Sequence, residues 1–276
     1  MRKKAFTLIE LLVVISIIAL LMAIMMPSLQ KARDMAAMKI CGNNLRQVLM
    51  AIHSYAAESD GYLPHSYTDY GMEKPVDKNS PLGRYYSWAC MPMDETGKYV
   101  SGTKITNENE ERGIMAGTIY PYINNIDVYN CPKDKRSADG KGGFRTYSLS
   151  QLIASNWLAR DSGRPVYKME AIRGPSERLM AIEEGDPRII NQGAWQIDVA
   201  GRYWRDVIAY WHDGGCEIGL ADGHVELFKL KDKRSIDYFN QYKDGRETLT
   251  SSASVDDNQD IISMTTKYNN SGKLER

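Results

Sequence analysis

His212, Asp213, Cys216, Asp222 and His224 crowd one short stretch and offer imidazole, thiol and carboxylate groups, the donors a metal site would use. A simpler account covers them. His212 caps a loop, Asp222-Gly223 makes a turn and His224 faces solvent or the long helix, because Asp and Gly are turn residues by their own chemistry. No metal and no cofactor is expected. Asp256-Asp257-Asn258-Gln259-Asp260 collects oxygen ligands of the kind calcium takes, without the spacing of an EF-hand, and reads as polar chain. Trp195, Tyr203, Trp204 and Trp211 could stack on sugars, but large aromatics more often build the core. Neither of the remaining histidines, His53 and His65, begins an H-E-x-x-H pair, and there is no G-x-S-x-G elbow, P-loop or G-x-G-x-x-G. The chain reads as a non-enzyme.

The other residue out of place is Glu10, the one charge in the apolar run from Phe6 to Met26. At about 1.5 Å per residue this run spans roughly 32 Å as a helix, close to the thickness of a bilayer core. A carboxylate there is costly, and such groups usually have a partner. Arg2, Lys3 and Lys4 precede the run and hold the amino end on the cytoplasmic side, with the rest of the chain outside. A secretory signal peptide has a shorter apolar region and an A-x-A-like cut site, which is missing here.

The elements around these residues follow from pattern. Pro27 directly follows the apolar run and reads either as a helix break at the membrane surface or as a bend within a helix that continues. Leu45, Val48, Leu49, Ile52 and Tyr55 fall at helical spacing and give one apolar face, and Asp60-Gly61 reads as its stop. Gly42-Asn43-Asn44 weakens the middle of that helix. Arg112–Ile123 fits a short helix with Pro121 near its end, and Leu179–Ile182 a short buried strand. Cys216–Phe228 fits a hairpin about Asp222-Gly223. A two-residue turn there has both positions at positive φ. It pairs Leu220 with Val225 and Ile218 with Leu227. These four then share one face, with Gly219, Ala221, His224 and Glu226 on the other.

The chain has 276 residues, 43% hydrophobic and 25% charged, with 35 basic and 35 acidic side chains. Beyond a membrane helix this leaves enough for one soluble domain. The balanced charge gives no reason to expect nucleic acid as a partner. Four cysteines, Cys41, Cys90, Cys131 and Cys216, lack any C-x-x-C pair. Outside the cytoplasm they permit disulfides in three possible pairings, with Cys131 beside Pro132 the expected participant.

The string Lys3-Lys4-Ala5-Phe6-Thr7-Leu8-Ile9-Glu10-Leu11-Leu12 closely resembles the prepilin signal: a basic leader, a small residue, then FTLIELL. That resemblance implies cleavage between Ala5 and Phe6 by a prepilin peptidase and methylation of the new Phe6 amine. It also implies that Glu10 meets that amine on a neighbouring subunit. Ala5 stands where the family usually has glycine, and Pro27 where it often has proline. His212, nine residues and Asp222-Gly223 resemble the H-x9-DG segment of a large group of pilin-like proteins from Planctomycetes and related bacteria. Cys41 with Asn44-Leu45-Arg46-Gln47, the Tyr55–Pro64 stretch, Tyr122, Cys131-Pro132-x-Asp134 and Tyr147-Ser148 are similar to the same group.

The resemblance implies an α+β, pilin-like fold with a long N-terminal membrane helix packed on a small antiparallel sheet. The expected divisions are a leader at 1–5, a transmembrane helix at 6–26, its outer half at 27–60, a soluble domain at 61–255 and a polar tail at 256–276. The implied role is a structural subunit of a pilus or type II secretion pseudopilus, with prepilin peptidase, other pilin-like subunits and the bacterial inner membrane as partners. Its C-terminal domain would be periplasmic or extracellular. The alternative is a membrane-anchored module that binds a carbohydrate or other ligand.

Overall fold

A computed structural model describes residues 8–68, 87–100, 102, 105–140, 142–155, 165–186, 194–199, 203–240 and 257–268. Ala5 and Phe6 lie outside the described residues. One helix, α1 (Leu8–Glu58), runs for 51 residues, roughly 75 Å at the usual rise. Pro27 lies inside it and does not end it. A proline there removes one backbone donor, and the helix absorbs that loss. Gly42-Asn43-Asn44 is spanned as well, because tertiary contacts override propensity: the buried Asn44 amide donates to the carbonyls of Asp127 (3.4 Å) and Asn130 (3.1 Å). The helix stops where expected. Asp60 (φ 52) and Gly61 (φ 80) turn left-handed, and the Gly61 N–H returns to the Ala56 carbonyl at 2.8 Å.

The head is α+β. Four antiparallel strands form a sheet in the order β1 (Tyr147–Leu149), β2 (Leu179–Glu183), β5 (Gly215–Leu220) and β6 (Val225–Lys229). A separate two-stranded ribbon pairs β3 (Ile197–Asp198) with β4 (Tyr203–Trp204). The helical face Leu45, Val48, Leu49, Ile52 and Tyr55 is buried in one cluster with Tyr147, Leu149, Met180 and Ala181. A second cluster gathers Ile182, Ile218, Leu220 and Phe228 with Trp195, Trp204, Phe239, Ile261 and Met264. Strand β5 is therefore buried at every position.

Two short helices, α2 (Asn107–Met115) and α3 (Tyr120–Ile123), stand in place of one over 112–123. Thr106 and Asn109 cap α2 reciprocally, so the helix begins in the polar stretch that precedes Arg112. Pro121 sits in the first turn of α3, where its missing N–H costs nothing. After β6 come α4 (Lys233–Asn240) and α5 (Gln259–Tyr268). Residues 256–276 are thus not simply a polar tail: Ile261, Met264 and Tyr268 of α5 are buried in the core. Asp260 is not a calcium ligand in waiting either, since its carboxylate accepts from the backbone of Lys231 (3.0 Å) and Asp232 (2.8 Å).

The hairpin exists, but its register corrects the sequence reading. Gly219 pairs with Val225, Ile218 with Glu226 and Glu217 with Leu227. The turn has three residues, Ala221-Asp222-Gly223, with only Gly223 at positive φ (89). Such a loop puts glycine at its left-handed last position. Val225 and Leu227 consequently share a face with Gly219 and Glu217. Ile218 and Leu220 lie on the other face with Phe228. Gly219 is on the helix side because α1 comes close: a Cβ there would lie 2.8 Å from Leu49 Cδ1. The turn with two positive-φ residues occurs instead at Asp213 (φ 42) and Gly214 (φ 83), just before β5.

Candidate functional site

That Asp213-Gly214 turn is flanked by His212 and Gly215, which exchange both backbone hydrogen bonds (3.2 and 2.8 Å). The turn swings the His212 side chain into the protein, where it is buried. Its Nε2 lies 3.2 Å from Glu183 Oε1 and 3.1 Å from Cys131 Sγ. Glu183 ends β2, and its other oxygen accepts from the Glu217 N–H of β5 at 2.7 Å. Cys131 follows a single 3-10 turn, Ile126–Tyr129, and forms a disulfide with Cys41 of α1. Four stretches far apart in sequence therefore meet at one point, and the ligand atoms of Cys41, Cys131, Glu183 and His212 all lie within 4.8 Å of one another.

The surroundings hold this point rigidly. The Thr146 hydroxyl accepts from Cys131 N–H (2.9 Å) and donates to Asp134 (2.8 Å). Asp134 forms a fully buried ion pair with Arg136 at 2.6 Å, and Arg136 also donates to the carbonyls of Arg145 and Asp186. The helix side is tied by Tyr147 Oη donating to the Cys41 carbonyl (3.1 Å) and by the Lys133–Asp34 ion pair. Lys133 N–H also points at Cys131 Sγ, at 3.4 Å.

Burial raises the Glu183 carboxyl above its ordinary range, and His212 opposes that rise. Glu217 is pushed up to about 7, first by burial and then by the Glu183 charge. His212 Nδ1 is buried, with no hydrogen-bond partner among the described residues. The remaining cysteines, Cys90 and Cys216, are buried free thiols; burial pushes Cys90 up to about 11 and Cys216 well above its ordinary value.

The structure does not bring all the singled-out residues together. His212 and Cys131 meet, and Cys41 and Glu183 join them. Asp222 and Gly223 are at the hairpin tip, where Asp222 Oδ1 accepts from His224 N–H (2.9 Å) and His224 is exposed. Cys216 points away into the second core cluster. Trp195 and Trp204 are fully buried and belong to the core. Glu183 carried no signal of its own in the sequence, where it directly follows the expected strand Leu179–Ile182; in the structure it is that strand's last residue. Glu10 and Pro27 lie on the part of α1 that protrudes from the head. Every residue from Leu8 to Arg33 is exposed, and this apolar part of the helix is long enough to cross a membrane.

Comparison with known proteins gives two family matches. Residues 1–26 match the prokaryotic N-terminal methylation motif. Residues 30–178 match the family described as protein of unknown function (DUF1559). The second match includes Cys41 and Cys131 and ends before Glu183 and His212. No curated protein and no solved structure matches the chain.

Proposed function

The chain belongs to the DUF1559 family, and from that premise we propose that it is a structural subunit which a prepilin peptidase cuts between Ala5 and Phe6 and which assembles through α1 into a pilus or type II secretion pseudopilus. The coarser part is established: an N-terminal methylation motif followed by a long apolar helix makes this a type IV pilin-like protein and fits a membrane-anchored one. The observation that supports the finer reading is the contrast between a head with a complete core and a protruding helix with bare apolar sides. Leu8 is 79% exposed and Ile24 68%. Such a surface needs lipid or other apolar helices around it.

Glu10 gives the reading its specificity. A carboxylate makes a poor anchor residue, whereas an amine freed at Phe6 on a neighbouring subunit would offset its charge and fix the axial offset between helices. The chemistry belongs to the peptidase, and this chain acts as no enzyme. Its head would sit outside the inner membrane, in the compartment where the Cys41–Cys131 disulfide is stable.

Two measurements test this. Intact-mass and N-terminal analysis of membrane-extracted protein is expected to give Phe6 as an N-methylated first residue. Met1 still attached, or a cut beyond Met26, would overturn the processing step. Wild-type and Glu10→Leu chains with different tags are then co-expressed and sheared filament fractions compared. The variant is expected to be cleaved and inserted normally yet to be depleted from filaments. Equal incorporation would overturn the role given to Glu10 and favour a tethered binding module.

A further inference from the structure

We propose that in the dithiol form of this chain Cys41, Cys131, His212 and Glu183 hold one zinc ion, so that the head has two alternative clasps on α1: a disulfide or a metal. The donor set is right. Two thiolates, an imidazole nitrogen and one carboxylate oxygen are ligands that tetrahedral zinc accepts. The spacing is right as well. A tetrahedron with zinc-ligand arms of 2.0–2.3 Å has edges of about 3.3–3.8 Å. His212 Nε2 is already 3.1 Å from Cys131 Sγ and 3.2 Å from Glu183 Oε1, and all four ligand atoms fall within 4.8 Å.

What surrounds the four side chains points the same way. A disulfide asks for nothing beyond two cysteines in the right geometry. Here a buried imidazole touches Cys131 Sγ, and a buried carboxylate touches the same imidazole nitrogen with its oxygen within 4.8 Å of both sulfurs. Lys133 N–H, two residues after Cys131, is aimed at the Cys131 sulfur, and a backbone donor of this kind stabilises a thiolate. Glu217 N–H holds Glu183 Oε2 and so leaves Oε1 to face the cluster. Partners of this sort orient ligands in metal sites. Burying an imidazole and a carboxylate together carries a desolvation cost, and a dication at their meeting point offsets that cost.

Binding moves no electrons. Zn–S, Zn–N and Zn–O bonds form, the two S–H protons leave to solvent, and the imidazole proton passes to Nδ1, which none of the described residues holds. Reaching the dithiol form from the disulfide takes two electrons and two protons from an external thiol or phosphine reductant. A newly made chain has that form before any oxidation.

The experiment uses the full chain in detergent, reduced anaerobically with a phosphine, exposed to Zn2+ and desalted. One zinc per reduced chain is expected, and less than about a tenth of that in the oxidised chain. Co2+ in place of zinc is expected to give the intense visible bands of a tetrahedral thiolate site. Competition against a chromophoric chelator is expected to show His212→Ala and Glu183→Gln each weakening binding by about tenfold or more, since even outer-shell partners cost that much. Cys90→Ser is expected to change nothing. A reduced chain that keeps its circular dichroism but retains no zinc overturns the proposal. So does retention that His212→Ala and Glu183→Gln leave unaltered, or equal retention by the oxidised chain. If reduction unfolds the head, zinc must restore the native spectrum to the reduced chain and not to reduced His212→Ala; any other result overturns it.

Discussion

The two halves of α1 meet opposite surroundings. From Leu8 to Met26 the large apolar side chains are bare, while from Cys41 to Ala56 buried residues recur at steps of three and four. Composition alone would rank the first half as the better core. It is the second half that forms one, because its apolar residues are confined to a stripe that the sheet can cover, leaving polar residues such as Asn43, Arg46 and Gln47 outside the stripe. A helix apolar on every side suits a medium that is apolar on every side. Periodicity, more than hydrophobic content, decides which half folds into the head.

The sharpest break of this contrast is a matched pair of truncations. Leu45→Ala removes a fully buried side chain and is expected to destabilise the head by about 2–5 kcal/mol. Ile17→Ala, on the bare half, is expected to leave head stability within about 0.5 kcal/mol. Chemical denaturation of the full chain in detergent, followed by tryptophan fluorescence, reads both. Equal losses would erase the distinction between the halves.

A smaller effect comes from the hairpin tip, which leans on the outer half of the helix. At Gly223 (φ 89) a Cβ would come within 2.5 Å of Met50 Cε. Gly223→Val adds left-handed strain to that contact and is expected to cost about 1–3 kcal/mol. Gly223→Ala with Met50→Ala would relieve the contact but not the strain. An unchanged thermal midpoint for Gly223→Val would contradict the three-residue turn.

The smallest effect is on pH. Glu110 of α2 is held above its ordinary carboxylate range, first by burial, while the Phe144 N–H at 2.7 Å opposes the rise. A carboxyl raised on folding binds more protons in the native state than in the unfolded chain. Its contribution is therefore greatest at low pH and declines as pH rises from the ordinary carboxylate value through the raised one. The head is expected to melt at lower temperature as pH climbs through that window, and Glu110→Gln to flatten the slope. Scanning calorimetry at several pH values checks it; an unaltered slope in the variant would assign the titration elsewhere.

Much of this was legible in the residues. The membrane-length run, the Leu45–Tyr55 face, the Asp60-Gly61 stop and the Leu179–Ile182 strand all follow from local pattern and reappear in the structure. The hairpin register did not follow, for a definite reason. Alternation fixes register only when one face is solvated, and β5 is buried on both. Asp-Gly serves a two-residue and a three-residue turn alike, and the strict form of the first was satisfied nine residues earlier, at Asp213-Gly214. Helix α5 was hidden because Ile261, Met264 and Tyr268 are few among polar neighbours, and their partners lie in distant segments. The cysteine–histidine–glutamate cluster was out of reach for the same reason: residues 41, 131, 183 and 212 come together only through tertiary contacts.

The disulfide's place along α1 has a mechanical consequence. Cys41 is the first buried residue of the helix, counted from the protruding end. Traction applied at the Leu8 end therefore reaches a covalent crossing before it reaches the packed stripe beyond. From Cys131 the load passes through the Thr146 hydroxyl into the Asp134–Arg136 knot, while Tyr147 at the sheet edge holds the Cys41 carbonyl directly. The Leu45–Tyr55 packing is left to seat the head and is relieved of tension. A helix hauled lengthwise would then drag its head along as one rigid piece, and failure under strain would begin in the protruding shaft.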